Sequence, residues 1–247
     1  MYNKFSFNEY AQIMSYIKKH LPIVDYADIT NNTKQFCVLR HDIEYSIDRA
    51  MELALFEHSH DIQSTYFVQI SNNTYNPFSR KNKKLLYDIA SLGHKIGAHV
   101  FLDTETDIDK NKNLICKEID FLNKYLDIDV NRFSFHRPNL NKQVLKIPIE
   151  IDGLINAYSP KFFSYTENLS EREILYFADS RHTWSYGHPL DCNFNMVNKM
   201  QVNCHPFSWT PIGHNVMQNF STLISEKHNE MTRSIASENH GFPKKLL

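Results

Sequence analysis

Apolar residues along this chain recur at two periods, and the alternation between them predicts strands alternating with helices. Phe7 to His20 carries apolar side chains at helical spacing, with Asn8 as candidate cap, and predicts a helix leading into the fold. Phe36-Cys-Val-Leu is a short run of successive apolar residues followed by charge, as in a strand buried on both faces. Ser46 to His60 predicts a second helix. Ser46 can cap it, and Ile47, Ala50, Met51 and Ala54 fall at i, i+3, i+4 and i+7, with Leu53 and Phe56 widening the stripe.

The same alternation continues through a strand at Thr65 to Gln69, a helix at Lys81 to Leu92, a short strand at Lys95 to Ala98, and a longer helix at Lys110 to Leu126. Further strands are predicted at Arg132 to Phe135, Leu154 to Tyr158, Ile174 to Ala178 and Met200 to Cys204. Strand and helix at this pace read as βαβ units around a parallel sheet, and a closed or nearly closed barrel of about seven or eight strands would use about this length. No repeat or linker divides the chain. We expect a single domain over 1–247, with an N-terminal helical segment at 1–30 and a polar tail from Glu226 that starts helical and then frays.

Composition narrows the function classes. The 27 basic and 28 acidic side chains nearly cancel, so overall charge favours neither nucleic acid nor an anionic membrane as partner. The N-terminus lacks a basic stretch followed by an apolar run, and no segment reaches the roughly 18 apolar residues of a membrane span, so a cytoplasmic protein is expected. Cys37, Cys116, Cys192 and Cys204 form no CxxC pair and read as buried free thiols.

Chemistry gathers where the predicted strands end. His41 and Asp42 follow the first, His99 the third, His136 and Arg137 the fourth, Asp179 the sixth and His205 the last. Each alone reads as a cap, a solvated charge or a structural histidine. In a parallel barrel, however, all strand ends of one sense converge on one mouth, where active sites of that architecture sit.

Arg40-His-Asp-Ile-Glu-Tyr-Ser, Thr65-Tyr-Phe, Gly93-His-Lys-Ile-Gly-Ala-His, Phe133-Ser-Phe-His-Arg-Pro, Asp179-Ser and Cys204-His-Pro-Phe-Ser-Trp resemble, in order, the motifs of the polysaccharide deacetylase superfamily. This is the NodB homology, or carbohydrate esterase family 4-like, superfamily, and the likeness is greatest to its divergent branch in bacterial surface-polysaccharide biosynthesis. It implies a distorted (β/α) barrel of about seven strands. It also implies Asp42 as catalytic base, Arg137 as the arginine holding that base, Asp179 as the acid of the fourth motif and His205 as catalytic acid. Glu44 stands where a metal-binding Asp is usual, His99 matches the first metal-binding histidine, and Asp103 stands where the second is usual. Asp103 is then either an oxygen ligand or a loop charge, with His94, His136 and His182 as spare third ligands. The implied cofactor is a divalent ion, expected to be zinc.

The resemblance thus implies a metal-dependent hydrolase that removes an N-acyl group, expected to be acetyl, from a sugar or a nucleotide- or lipid-linked sugar precursor. The alternatives are other carbon–nitrogen chemistry on a sugar, such as deformylation or amide formation, and a non-catalytic carbohydrate-binding relic.

Overall fold

The computed structural model describes residues 4–166, 172–243 and 245. Its centre is a seven-stranded, all-parallel sheet curled into a half-barrel. In chain order the strands are β1 (Phe36–Ile43), β2 (Thr65–Val68), β3 (Lys95–Val100), β4 (Arg132–Phe135), β5 (Ile155–Asn156), β6 (Leu175–Ala178) and β7 (Lys199–Cys204). They lie in the order β5-β4-β3-β2-β1-β7-β6, so β5 and β6 form the edges and the sheet stays open between them. The distorted barrel of about seven strands expected above is the architecture found.

Helices cover the outer face, as an all-parallel sheet requires to bury both sides. They are α1 (Phe7–Lys18), α2 (Ile47–His58), α3 (Arg80–Ser91), α4 (Ile108–Leu126), the single turn α5 (Gln143–Lys146) and α6 (Val216–Glu238). Ser46 Oγ accepts the Arg49 N–H and starts α2, whose buried positions Ile47, Ala50, Leu53 and Ala54 follow the predicted stripe. The cap of α1 is Ser6, which accepts the Glu9 N–H at 3.2 Å; Asn8 lies inside the first turn. Helix α6 begins at Val216, ahead of the polar stretch from Glu226, where Asn215 and Gln218 form a reciprocal capping box.

Side-chain alternation along β1 divides the core. Cys37 and Leu39 point outward into a cluster with Tyr10, Ile13, Met200 and Trp209, whereas Phe36 and Val38 point inward beside Tyr26, Phe67 and Ala157. The floor beside β1 is therefore apolar, and one step up that strand, at Arg40, the lining becomes polar. Gly97 helps to build that floor, since a Cβ there would sit 2.5 Å from the Phe67 ring. Among the described residues no helix is long and apolar enough to cross a membrane, and all four cysteines are free.

Candidate active site

Above the apolar floor, Arg40 and Asp42 take the inward positions of β1. Arg40 Nε donates to Asp42 Oδ1 at 3.2 Å and Nη2 donates to Oδ2 at 2.7 Å, a bidentate pair closed to solvent. The guanidinium lies over the Tyr158 ring, 4.7 Å from its centroid, and Nη1 donates to Gln201 at 3.2 Å. Asn203, an inward residue of β7, adds a donor to Asp42 Oδ2 at 2.9 Å. Burial alone would raise the Asp42 pKa, but the Arg40 charge, with His99 and His205 behind it, holds it far below the ordinary carboxylate range. Asp42 is thus ionised at neutral pH and is a weak base. The resemblance gave the task of holding it to Arg137; in the structure Arg40 occupies that place.

Glu44 follows Asp42 by two residues, at the mouth. One ligand atom each from Glu44, His99 and His136 lie within 4.8 Å of one another. His99 Nδ1 is engaged by Ser134 Oγ at 2.7 Å, so Nε2 faces the cluster, 3.3 Å from His136 Nδ1. Burial pushes the His99 pKa down to about 4 despite the pull of Asp42, which keeps the imidazole neutral as a ligand must be. Burial would raise the Glu44 carboxyl, but the hydrogen bond from His136 and the charge of His205 lower it. Gln69 Nε2 stands 3.0 Å from His136 Nδ1. Asn72 in turn donates to Gln69 Oε1 at 2.7 Å and to the Glu44 carbonyl at 2.8 Å, bracing both.

One carboxylate and two imidazoles, converging, with His99 held from behind by Ser134, fit a divalent cation by the chemistry of their donors. His136 takes the third place in this group. Asp103 stands exposed in the turn after β3, at φ 47°, and belongs neither to the group nor to the cavity lining. The other spare histidines are engaged elsewhere: His94 with Ser64 and the Ala54 carbonyl, His182 with the His214 carbonyl.

His205 closes the opposite side. Its Nδ1 and its backbone N–H both donate to Asp179 Oδ1, at 2.6 and 2.8 Å, and Trp209 Nε1 donates to Asp179 Oδ2 at 2.6 Å. Burial opposes charge on the ring, yet the hydrogen bond and charge of Asp179 raise its pKa to about 9. Nε2 is left 3.9 Å from Glu44 Oε1. Asp179 is fully buried and acts from behind the ring. Asp42, Glu44, His99, Arg137 and His205 all line one cavity of about 550 Å³, within the range of small-molecule sites.

Sequence reasoning passed over Arg40, Ser134, Gln201 and Asn203. Period-2 alternation carried a signal for three of them: Arg40 shares a strand face with Asp42, and Gln201 and Asn203 share one with His205.

Neither a family model nor a curated protein matches the sequence. Solved structures match at low identity. They include a CE4 family pseudoenzyme from Bacillus anthracis, at 12% identity and TM-score 0.43, covering 81% of this chain and 63% of that one. The chain therefore spans less than two-thirds of that pseudoenzyme's length. Another is the Xyl-CE4 domain of a multidomain xylanase from the hindgut metagenome of Trinervitermes trinervoides, at 13% identity and TM-score 0.43, covering 80% and 84%. A third is the peptidoglycan deacetylase PdaC from Bacillus subtilis, at 11% identity and TM-score 0.40, covering 85% and 97%. At these values the reading of function rests on the residues themselves.

Proposed function

We propose that the chain is a metal-dependent N-deacetylase of the NodB-like kind acting on a sugar or sugar-linked precursor. The observation that carries the reading is one cavity lined by the ionised Asp42, by Glu44 and His99 of the carboxylate–imidazole cluster, and by the carboxylate-backed His205. Glu44, His99 and His136 would hold the ion. A divalent cation there, zinc in this reading, would supply Lewis acidity toward the acyl carbonyl and the attacking water, which a base as weak as Asp42 requires.

Asp42 takes the proton of the attacking water, and Arg40 and Asn203 keep its carboxylate fixed and charged. His205 delivers a proton from Nε2 to the departing amine, for which its raised pKa keeps it loaded at neutral pH. Asp179 orients the ring and balances its charge, as buried carboxylates do behind catalytic histidines. Arg40 and Asp179 are positioning residues, whereas Asp42 and His205 meet the reacting atoms.

The test is acetate release from N-acetylated sugars, free, nucleotide-linked and lipid-linked, by protein loaded with zinc and by the same protein after chelation. Zinc-dependent release supports the reading. Carbohydrate binding with no release by the loaded protein would replace it with the relic.

A further inference from the structure

Arg40 fills the place beside the base, which leaves Arg137 at the cavity without that task. Arg137 follows β4 and Arg181 follows β6, and both line the cavity. Strand β6 is one edge of the open sheet and β4 lies next to the other, so the two arginines arise on either flank of the gap in the half-barrel. Both are exposed, and neither side chain has a hydrogen bond or ion pair among the described residues. That is unusual for a cavity whose other charges are all engaged. Asp42 is paired to Arg40, and Glu44 faces His136 and His205.

Backbone geometry supplies an independent observation. Arg137 sits at φ 49°, ψ 53° and Arg181 at φ 59°, ψ 32°, both in the left-handed region that a side chain with a Cβ enters at a cost. Such conformations persist where the surroundings impose them, and they gather at ligand sites. At position 137 the turn separates neighbours: His136 turns in to the ligand cluster and Arg137 lines the cavity. Ser180 and Ser185 line the cavity near Arg181 in sequence and add hydroxyl donors.

Planar guanidiniums without an internal acid, aimed at a cavity, match the oxygens of a phosphate or carboxylate. We infer that the cavity takes an N-acylated sugar bearing an anionic oxygen group, phosphate or carboxylate, which Arg137 and Arg181 receive at the rim. The inference rests on the deacetylase reading and adds the substrate class to it. A neutral glycan would leave both guanidiniums unanswered.

Calorimetric titration of the zinc-loaded protein with N-acetylglucosamine, its 1-phosphate and its 6-carboxylate (the uronic acid) tests this, with acetate release followed for each. The expected result is that one anionic sugar binds about tenfold or more tighter than the neutral one, as charge-assisted hydrogen bonds allow. That gain shrinks in Arg137→Gln and Arg181→Gln, partly returns in the Lys variants, and falls with salt. Which anion gains identifies the group. Equal binding and turnover of all three sugars overturns the inference and leaves the deacetylase reading intact. A gain that survives in both Gln variants also overturns it, because the anion then binds elsewhere. Failure of every sugar, and of the nucleotide- and lipid-linked substrates named above, to bind or release acetate removes both readings.

Discussion

Arg40 and Asp42, two residues apart on one strand, meet in a bidentate pair inside the half-barrel, with Nη2 of one 2.7 Å from Oδ2 of the other. Adjacent inward positions on a strand put the cation directly below the anion, so the charge of Asp42 is set by its own strand. Removing the cation strands a buried carboxylate. Arg40→Met should lower stability by about 3–5 kcal/mol, and Arg40→Met/Asp42→Asn should recover much of that loss, because the unpaired charge is then gone. Urea denaturation of the two variants checks this; equal destabilisation would show that packing on Tyr158, rather than the pair, is what matters.

Turnover should depend on Asp42 and His205 separately. Asp42→Asn and His205→Gln are each expected to reduce acetate release by roughly a hundredfold or more, with circular dichroism unchanged, in line with general base and acid contributions. Nearly full turnover in either variant would remove that residue from the mechanism.

Metal content distinguishes His136 from Asp103. Glu44→Ala, His99→Ala and His136→Ala should each lower bound zinc sharply, whereas Asp103→Ala should leave it unchanged. Elemental analysis of protein purified without chelator gives the stoichiometry. Loss of zinc on replacing Asp103 alone would contradict the assignment.

A second buried carboxylate governs acid stability. Glu57 accepts from His41 Nε2 at 2.9 Å, Ser64 Oγ at 2.7 Å, Tyr66 at 2.8 Å and Tyr10. Burial would raise its pKa, but His41, then His94 and Tyr10, hold it near 2. A carboxyl whose folded pKa lies below its unfolded value of about 4.3 adds stability that is present above that value and lost as pH falls toward 2. Denaturation midpoints should therefore drop between about pH 4.5 and 2, and the slope should be shallower in Glu57→Gln. An unchanged slope would assign the acid sensitivity to other groups.

Much of this was legible in the sequence because strand ends carry it. Asp42, Glu44, His99 and His205 were marked there, and all four line one cavity. The partners of those residues were harder to see. Reading β1 as apolar on both faces hid the period-2 relation between Arg40 and Asp42, since the strand runs on through Ile43 into the charged stretch. His136 and Arg137 are neighbours, and only the left-handed turn at Arg137 shows which of them faces the ligands. Strand β5 was marked at Leu154 to Tyr158, and only Ile155–Asn156 of that run pairs in the sheet.

Helix α6 is fastened through one buried guanidinium. Arg49 donates to Asn219 at 2.7 Å, to both oxygens of Glu226, at 2.8 and 3.0 Å, and to the Phe207 carbonyl in the turn after His205. Only Asn219 and Leu223 of this long helix are buried, while Met217, Ile224, Met231 and Ile235 face outward. Its grip therefore leans on polar contacts more than on apolar ones, and salt weakens the half-exposed Arg49–Glu226 pair where kosmotropic salts strengthen a core. Phe220 rests on Phe207, and Phe207 rests on Tyr45 in the cavity wall, so the firmness of that wall is borrowed from a clasp at the far end of the chain.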